Sequence, residues 1–207
     1  MSALAPCTLV GRYVELEPLQ GARAEAILKA GEGVDWSCMS ASLTTKEEVV
    51  NWMATSQKAW ERREEFAFVV KLKPDTSLVA HPDTGGLVGS TRYMDIQAAH
   101  KGVEVGWTWY SPTLQGTVVN PECKFLLLRH AFEDWGAVRV QIKTDVRNER
   151  SQRAILKLGA KFEGKLRNHR IRRDGTLRDT MMYSITRDEW PAVKAGLTAR
   201  IESWRPG

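Results

Sequence analysis

Hydrophobic and polar residues follow two different periods along this chain. Alternation with a period of two, rich in Val, Phe, Tyr and Trp, predicts strands, and apolar residues spaced three to four apart predict helices. The order of these segments indicates one mixed α/β sheet with helices packed on it. The strands are predicted over 9–16, 66–71, 87–94, 103–110, 138–145 and twice within 162–185, and the helices over 20–30, from 45 to about 60, from near 121 to about 135, over 149–158 and after 186.

Several residues are typical of helix ends and tight turns, and they define the ends of these elements more closely. Thr45 and Glu48 have the spacing of a capping box, in which the threonine accepts from a first-turn amide and the glutamate reaches back. Gly159 ends the fourth helix, and Asp174-Gly175 favours the tight turn of a hairpin between the last two strands.

Length and composition limit the class of protein. The 207 residues suit one domain over 1–207 with a sizeable core. Hydrophobic residues make up 43% and charged residues 27%, as in ordinary soluble globular proteins. No apolar run approaches the ~20 residues that span a bilayer, and the N-terminus lacks the pattern of a signal peptide. We therefore expect no membrane association.

Charge and cysteine content add two further expectations. The net charge of +5 is compatible with an anionic ligand but does not require one. Cys7, Cys38 and Cys123 are odd in number and far apart, so neither a disulfide framework nor a metal site is indicated. A cytoplasmic location fits these free thiols best.

One stretch, SPTLQGTVVNPECKFLLLRHAF at 111–132, has the layout of a phosphate-binding loop. A strand ends, Gly116 lies in the loop, and Asn120 and Pro121 are typical of an N-cap and a first helical residue. The unpaired amides and the dipole at such a helix start attract anions. An ordinary strand–helix connection with a turning glycine explains the same residues, so the loop alone leaves both interpretations open.

The segments around this loop resemble a known family. VEVGWTWYSP precedes the loop, NERSQRAILKLGAKFEG follows it, and GRYVELEPL and RDTMMYSITRDEWPAV lie near the two ends. In this order they are similar to motifs of the Gcn5-related N-acetyltransferase superfamily, in its branch of ribosomal-protein N-terminal (alanine) acetyltransferases. The resemblance implies a single acetyl-CoA-binding domain with a mixed, mostly antiparallel sheet, and direct transfer of acetyl to a primary amine.

The loop departs from the pattern of the superfamily at two positions. Thr113 stands where the pattern has Arg or Gln, and Val118 stands where it has Gly or Ala. Because Val does not readily adopt positive φ, we expect ordinary backbone angles or a slightly different path there. Backbone amides survive a side-chain change, so we expect acetyl-CoA binding to be weakened and retained. The cofactor-binding residues expected from the resemblance are Thr108, Trp109, Gln115, Gly116, Thr117, Val118, Val119, Asn120, Asn148 and Ser151.

Glu104 is the candidate general base, acting through water, and it is also expected to contact the acceptor. Strand alternation predicts Val103, Val105, Trp107 and Trp109 on one face and Glu104 with Thr108 on the other. A base is required because an α-amino group has a pKa of ~8 and a lysine amine a pKa of ~10.4. The alternative is a structural carboxylate bound to a neighbouring strand or an arginine.

The resemblance also places Ser151 near the thiol of CoA, where its hydroxyl can donate to the leaving sulfur. Many relatives have a tyrosine acid at the position that Ile155 occupies in this chain. A tyrosine acid is therefore excluded at this position. Ser151 serves equally well as a first-turn serine that only caps the helix or contacts the cofactor. Asn148 is expected to cap this helix and to bond the pantetheine arm.

Two other features have simpler explanations. Cys123 near the start of a helix would allow an acetyl-cysteine route, but a buried cysteine is commonly a small hydrophobic residue. Trp36 is the better candidate for lining an acceptor pocket, whereas Trp52 and Trp60 have the helical spacing of core residues.

The basic segment KLRNHRIRRDGTLRD, from Lys165, has three interpretations. It is a surface for RNA or an acidic protein, a contact for the 3′-phosphate of CoA, or a solvated hairpin whose arginines pair with Asp174 and Asp179. The last is favoured, so direct nucleic-acid binding is not expected.

Three functions remain open at this point. The leading one is an acetyl-CoA-dependent N-acetyltransferase whose acceptor is a protein N-terminus or a small-molecule amine. The second is a non-catalytic acyl-CoA-binding module, and the third is an RNA-binding module. The partners are acetyl-CoA and the acceptor amine, and a homodimer is compatible with the sequence.

Overall fold

A computed structural model describes residues 7–205. Residues 1–6, on which the expectation about a signal peptide largely rests, lie outside this range. Helices pack on both faces of one eight-stranded sheet. The strands are β1 (Leu9–Val10), β2 (Val14–Pro18), β3 (Phe66–Leu72), β4 (Leu87–Gln97), β5 (Gly102–Tyr110), β6 (Arg139–Asp145), β7 (Lys161–Ile171) and β8 (Leu177–Thr186), and the helices are α1 (Ala24–Ala30), α2 (Lys46–Glu61), α3 (Val119–Arg129), α4 (Glu149–Lys157) and α5 (Trp190–Ser203).

The sheet has the order β1-β2-β3-β4-β5-β6-β8-β7. Every neighbouring pair is antiparallel except β5 and β6, which are parallel. Such a parallel pair needs a crossover, and α3 provides it. The predicted mixed, mostly antiparallel sheet flanked by helices is confirmed.

Two cores cover the two faces of the sheet. The larger one joins α3, α4 and α5 to one face, and the smaller one joins α1 and α2 to the other. On β3, Phe66, Phe68 and Val70 enter the larger core while Ala67 and Val69 enter the smaller one. Burial on both faces explains why this strand is a continuous apolar run.

The local signals in the sequence were correct at most element ends. Thr45 caps α2, since its hydroxyl accepts from the Glu48 amide at 3.2 Å and its own amide donates to the Glu48 carboxylate at 3.1 Å. The hairpin turn between β7 and β8 places Gly175 at a φ of 80°, which suits glycine. A π-helical turn continues α3 to Asp134, close to the predicted end.

The predicted opening strand over 9–16 is wrong, because the chain turns within it. The Gly11 amide bonds the Val14 carbonyl at 2.9 Å, and the strands on either side of the turn pair with each other. The turn packs on the carboxylate of Glu122 from α3, which leaves no room for a Cβ on Gly11. A contact this distant in sequence cannot be inferred from local periodicity.

No helix among residues 7–205 is long and apolar enough to cross a membrane.

Candidate active site

A wedge opens in the sheet between β5 and β6. The two strands pair only where Gly102 to Glu104 meet Arg139 to Gln141. Beyond this point β5 runs on to Tyr110 and β6 to Asp145 without pairing with each other, although each stays paired with its other neighbour. Unpaired backbone N–H and C=O groups along a strand edge can bind an extended ligand that carries amides of its own. The wedge is therefore the candidate binding cleft.

A β-bulge lies on β5 beside the wedge. Gly106 pairs with Arg92 and Trp109 pairs with Ser90, so two residues of β5 oppose the single residue between Ser90 and Arg92 on β4. Trp107 takes a φ of 51°, a left-handed conformation that is uncommon for a bulky residue. The extra residue reverses the inward and outward alternation of the strand from this point on.

The bulge overturns the predicted faces of β5. Val103 and Val105 enter the larger core, but Trp107 and Trp109 pack in the smaller one. Thr108 bonds Lys124 of α3, so it lies on the face opposite Glu104 and not on the same face as predicted. Strict alternation fails because the count of residues changes within the strand.

The strained conformation of Trp107 is held by its neighbours. Its ring stacks on Trp52 with centroids 5.5 Å apart, and the Arg92 guanidinium lies 4.9 Å from the ring centroid. The indole N–H donates to the hydroxyl of Ser40 at 2.8 Å. A non-glycine residue in this region costs ~1–3 kcal/mol and persists only where its surroundings fix it. Such strain is common at functional sites.

The predicted anion loop borders the mouth of the wedge. Gly116 has a φ of 84°, as a turning glycine should, whereas Val118 has helical angles and is buried in the larger core. Val118 therefore needs no positive φ, and a valine is compatible with the backbone path of this loop. Within residues 7–205 the amides of Gly116, Val118 and Asn120 have no acceptor, so they are free for an anion.

The predicted start of α3 is wrong by two residues. The helix begins at Val119, so Asn120 and Pro121 lie inside its first turn and Asn120 is not the N-cap. The Asn120 carboxamide oxygen instead accepts from the hydroxyl of Tyr110 at 3.3 Å. Val118 occupies the cap position and offers no side-chain acceptor. The Val119 amide donates to the Thr117 hydroxyl at 3.3 Å, while the Asn120 amide has no acceptor among residues 7–205.

A second helix start faces the wedge from β6. Asn148 caps α4, as predicted, by accepting from the Ser151 amide at 2.9 Å. The Ser151 hydroxyl has no hydrogen-bond partner among the described residues. Arg150 donates to the side chain of Gln115, which links the first turn of α4 to the loop before α3. The two helix starts thus stand together across the mouth of the wedge.

Glu104 lies at the point where the strands separate. It is only 6% exposed, and its carboxylate accepts from the Lys143 ammonium at 2.6 Å and from Gln141 at 3.4 Å. Burial raises the pKa of Glu104, against the opposing effect of Lys143. Asp95 accepts from Gln141 at 2.5 Å on the same side. A carboxylate with a raised pKa at a cleft is a candidate proton acceptor, and the ion pair also serves the structural role that was the alternative.

Trp36 departs from its expected role, whereas Cys123 is buried like the small hydrophobic residue that was the favoured interpretation. Trp36 is 6% exposed and packs edge to face on Trp109 at 5.3 Å, so it belongs to the smaller core. Of the tryptophans around it, Trp107 is the one that stays partly open. Cys123 is fully buried, and this burial raises the pKa of its thiol to about 12. A thiol with this pKa is protonated at neutral pH, which disfavours the acetyl-cysteine route.

The basic segment is a hairpin with ion pairs, but both predicted arginine pairings are wrong. Asp179 lies 3.5 Å from the ammonium of Lys165, not from an arginine. Asp174 accepts from Thr176 within the turn and pairs with no arginine among the described residues. Arg172 instead makes two bonds, at 2.7 and 2.8 Å, to Asp145 of β6.

Sequence reasoning missed Lys124. This residue of α3 is 5% exposed, and burial lowers its pKa to about 8. The only signal was a lysine set in the apolar run CKFLLL, where a charged side chain is unusual.

Comparisons with known proteins agree with this geometry. A family model described as an acetyltransferase (GNAT) domain matches residues 14–161, most of the chain. The curated Bacillus subtilis (strain 168) protein named "Putative ribosomal N-acetyltransferase YdaF" is 28% identical over 111 residues. That match spans 53% of this chain and 59% of the relative, about six-tenths of its length.

Two solved structures share the fold over nearly the whole chain. The T. thermophilus structure described as "putative acetyltransferase" has 35% identity and a TM-score of 0.81, covering 97% of this chain and 100% of that one. Mycobacterium smegmatis RimJ in complex with CoA-disulfide has 20% identity and a TM-score of 0.73, covering 97% of each chain, a likeness that shows the fold alone. The predicted family is confirmed: the chain belongs to the GNAT acetyltransferases.

Proposed function

We propose that this protein is an acetyl-CoA-dependent N-acetyltransferase that transfers acetyl directly to a primary amine. The observation that carries the proposal is the wedge between β5 and β6 with the free amides of Gly116, Val118 and Asn120 at its mouth. An anion-binding site beside an unpaired strand edge fits a ligand that has a pyrophosphate and, next to it, an arm that contains amides.

The residues present fit such a cosubstrate. The loop at 115–120 would hold the pyrophosphate, and the edge of β5 around Thr108 and Trp109 would hold the pantetheine arm. Asn148 and Ser151 at the start of α4 would contact the arm from the other side. When bound, acetyl-CoA supplies an activated acyl group as a thioester.

Glu104 would accept the proton that the acceptor amine must lose. An ammonium at pH 7 cannot attack, since an α-amino group has a pKa of ~8. The raised pKa of the buried Glu104 carboxylate makes it a better proton acceptor than an exposed carboxylate. Lys143, paired with it at 2.6 Å, holds its orientation. The free hydroxyl of Ser151 can donate to the sulfur that leaves.

The favoured acceptor is the α-amine of a protein N-terminus. This follows from the ribosomal N-acetyltransferase name of the B. subtilis relative and from the ribosomal-protein branch that the sequence resembles. We place the activity in the cytoplasm, because Cys7, Cys38 and Cys123 are all free thiols and a reducing compartment preserves them.

Release of free CoA thiol in the presence of an amine panel tests the proposal. The panel contains peptides with free N-termini, the same peptides with blocked N-termini, and small polyamines. We expect turnover with a free N-terminus, and a fall in kcat of about 100-fold in Glu104→Gln. Glu202→Gln, an exposed change on α5, is the matched control and should keep full activity.

Three results would separate the alternatives. Binding of CoA without turnover on any amine supports the non-catalytic acyl-CoA-binding module. Failure to bind CoA refutes the cleft assignment itself. Turnover on polyamines but not on peptides keeps the enzyme and changes its acceptor to a small molecule.

A further inference from the structure

Lys124 is a buried cation without a carboxylate partner. Its side chain extends from α3 under the sheet, and no Asp or Glu of the described residues lies within ion-pair distance of its ammonium. Two other cations of this protein are compensated, since the buried Arg92 pairs with Glu65 at 2.5 Å and the partly buried Lys143 pairs with Glu104 at 2.6 Å. Lys124 alone of these three keeps its charge unneutralised.

The ammonium is fixed to the bulge of β5. Lys124 Nζ donates to Thr108 Oγ1 at 2.6 Å, and Thr108 Oγ1 lies 2.8 Å from Thr91 Oγ1 on β4. Thr108 follows the strained Trp107 directly, so this chain of polar groups reaches the two residues that form the bulge. The positive charge lies on the face of the sheet opposite Glu104.

An uncompensated buried charge is costly, and a methionine or leucine would fill the same space in an apolar core at lower cost. Groups kept in such unfavourable states cluster where charge develops during a reaction. The position of Lys124 matches that condition, because the segment of β5 that it supports forms one wall of the wedge.

We infer that Lys124 is a positioning residue for acyl transfer. Its ammonium, hydrogen-bonded to Thr108, places a positive charge behind the bulge of β5, and this charge stabilises the oxygen of the acyl group as that oxygen gains negative charge. The inference rests on the proposed function. Lys124 contributes from the core side of the sheet, in addition to the groups inside the cleft.

The transfer that Lys124 assists is an addition to the acyl carbon followed by an elimination. The amine nitrogen forms a bond to the acyl carbon, and the electron pair of the C=O bond moves to the oxygen. That pair returns to the carbon as the C–S bond breaks, and CoA leaves as a thiolate. The proton of the amine goes to the base, and the thiolate takes up a proton. Lys124 keeps its own protons throughout and acts only while the oxygen is charged.

Its titration should be visible, because burial lowers the pKa of Lys124 to about 8. Two ionisable groups pack nearby on its own face. Cys123 has a pKa of about 12, and burial raises that of Tyr110 well above its usual value, so neither titrates between pH 7 and 9.5. On the opposite face, burial raises the pKa of Glu104. Glu104 is present in Lys124→Met as well, so a pH-dependent change that occurs in the wild type and not in this variant belongs to Lys124.

Infrared spectroscopy of bound acetyl-CoA labelled with ¹³C at the acyl carbonyl tests the inference without turnover. In the wild type we expect the C=O stretch at a lower frequency than in Lys124→Met, because a nearby positive charge polarises the carbonyl. Raising the pH from 7 to 9.5 should move the wild-type band toward the Lys124→Met position and leave the variant unchanged. Lys157→Met, an exposed change at the end of α4, is the control and should match the wild type.

Kinetics and binding complete the experiment. We expect Lys124→Met to lower kcat about 10- to 100-fold while the dissociation constant of CoA changes less than about threefold. Thr108→Val, which keeps the charge and removes its anchor, should give a smaller loss. Equal carbonyl frequencies in the wild type and Lys124→Met, with both proteins binding acetyl-CoA, would overturn the inference and leave the proposed function standing. Failure of the wild type to bind acetyl-CoA would overturn both.

Discussion

Replacing Lys124 by methionine should stabilise the protein at neutral pH and remove part of its pH dependence. Burial lowers the pKa of this lysine from 10.5 to about 8. At ~1.36 kcal/mol for each pKa unit, the charged form costs the folded state about 3 kcal/mol below pH 8. Between pH 8 and 10.5 the unfolded chain binds more protons than the folded one, so this cost disappears as the pH rises. The lost hydrogen bond to Thr108 offsets about 1 kcal/mol of the gain.

Urea unfolding at pH 7.5, 9 and 10.5 measures this effect. The free energy of unfolding of Lys124→Met should exceed that of the wild type by about 2 kcal/mol at pH 7.5, and the wild type should regain about 3 kcal/mol relative to the variant by pH 10.5. Other buried groups, such as Tyr93, titrate in both proteins and cancel in the difference. A difference that stays constant across this range would refute the argument, because it would show that the lysine keeps its ordinary pKa when folded.

Three further changes test other parts of the structure. Glu122→Gln should lower the free energy of unfolding by about 2–3 kcal/mol in urea titrations, since its buried carboxylate accepts three backbone amides; an unchanged midpoint would contradict this role. Gly116→Ala should weaken CoA binding about tenfold by calorimetry because of its φ of 84°, whereas Gly21→Ala, equally open but without positive φ, should not. Arg172→Gln should lower the melting temperature, because it removes the two hydrogen bonds that this guanidinium donates to the buried Asp145 carboxylate, while exposed Arg173→Gln should leave it unchanged; similar melting temperatures for the two would refute the ion-pair assignment.

Most of the fold could be predicted because its signals are local. The capping box at Thr45 is contained in four residues, and Asn148 caps α4 with an amide three residues away. These interactions form within one turn, so sequence spacing determines them. The order of such elements was enough to indicate a mixed sheet.

The details of the site could not be predicted because they depend on contacts between distant segments. The bulge at Trp107 is fixed by Trp52 and Arg92, which come from a helix and from another strand. The partner of Glu104 is Lys143 on β6, and the crossover through α3 separates the two residues in the sequence. Lys124 belongs to no motif, and apart from its apolar neighbours in the sequence only its burial distinguishes it from a surface lysine.

The turn from Arg12 to Val14 is held by a residue far away in the sequence, and this affects when the turn folds. Its three amides are satisfied by a carboxylate that lies 108–110 residues later in the sequence. During synthesis Arg12 to Val14 emerge before Glu122, so their amides bond water until that carboxylate is available. Contacts of such long range are costly to close and form slowly. The N-terminal turn, although made first, should be among the last parts of the protein to reach its final structure, and its protection from hydrogen exchange should appear late in refolding.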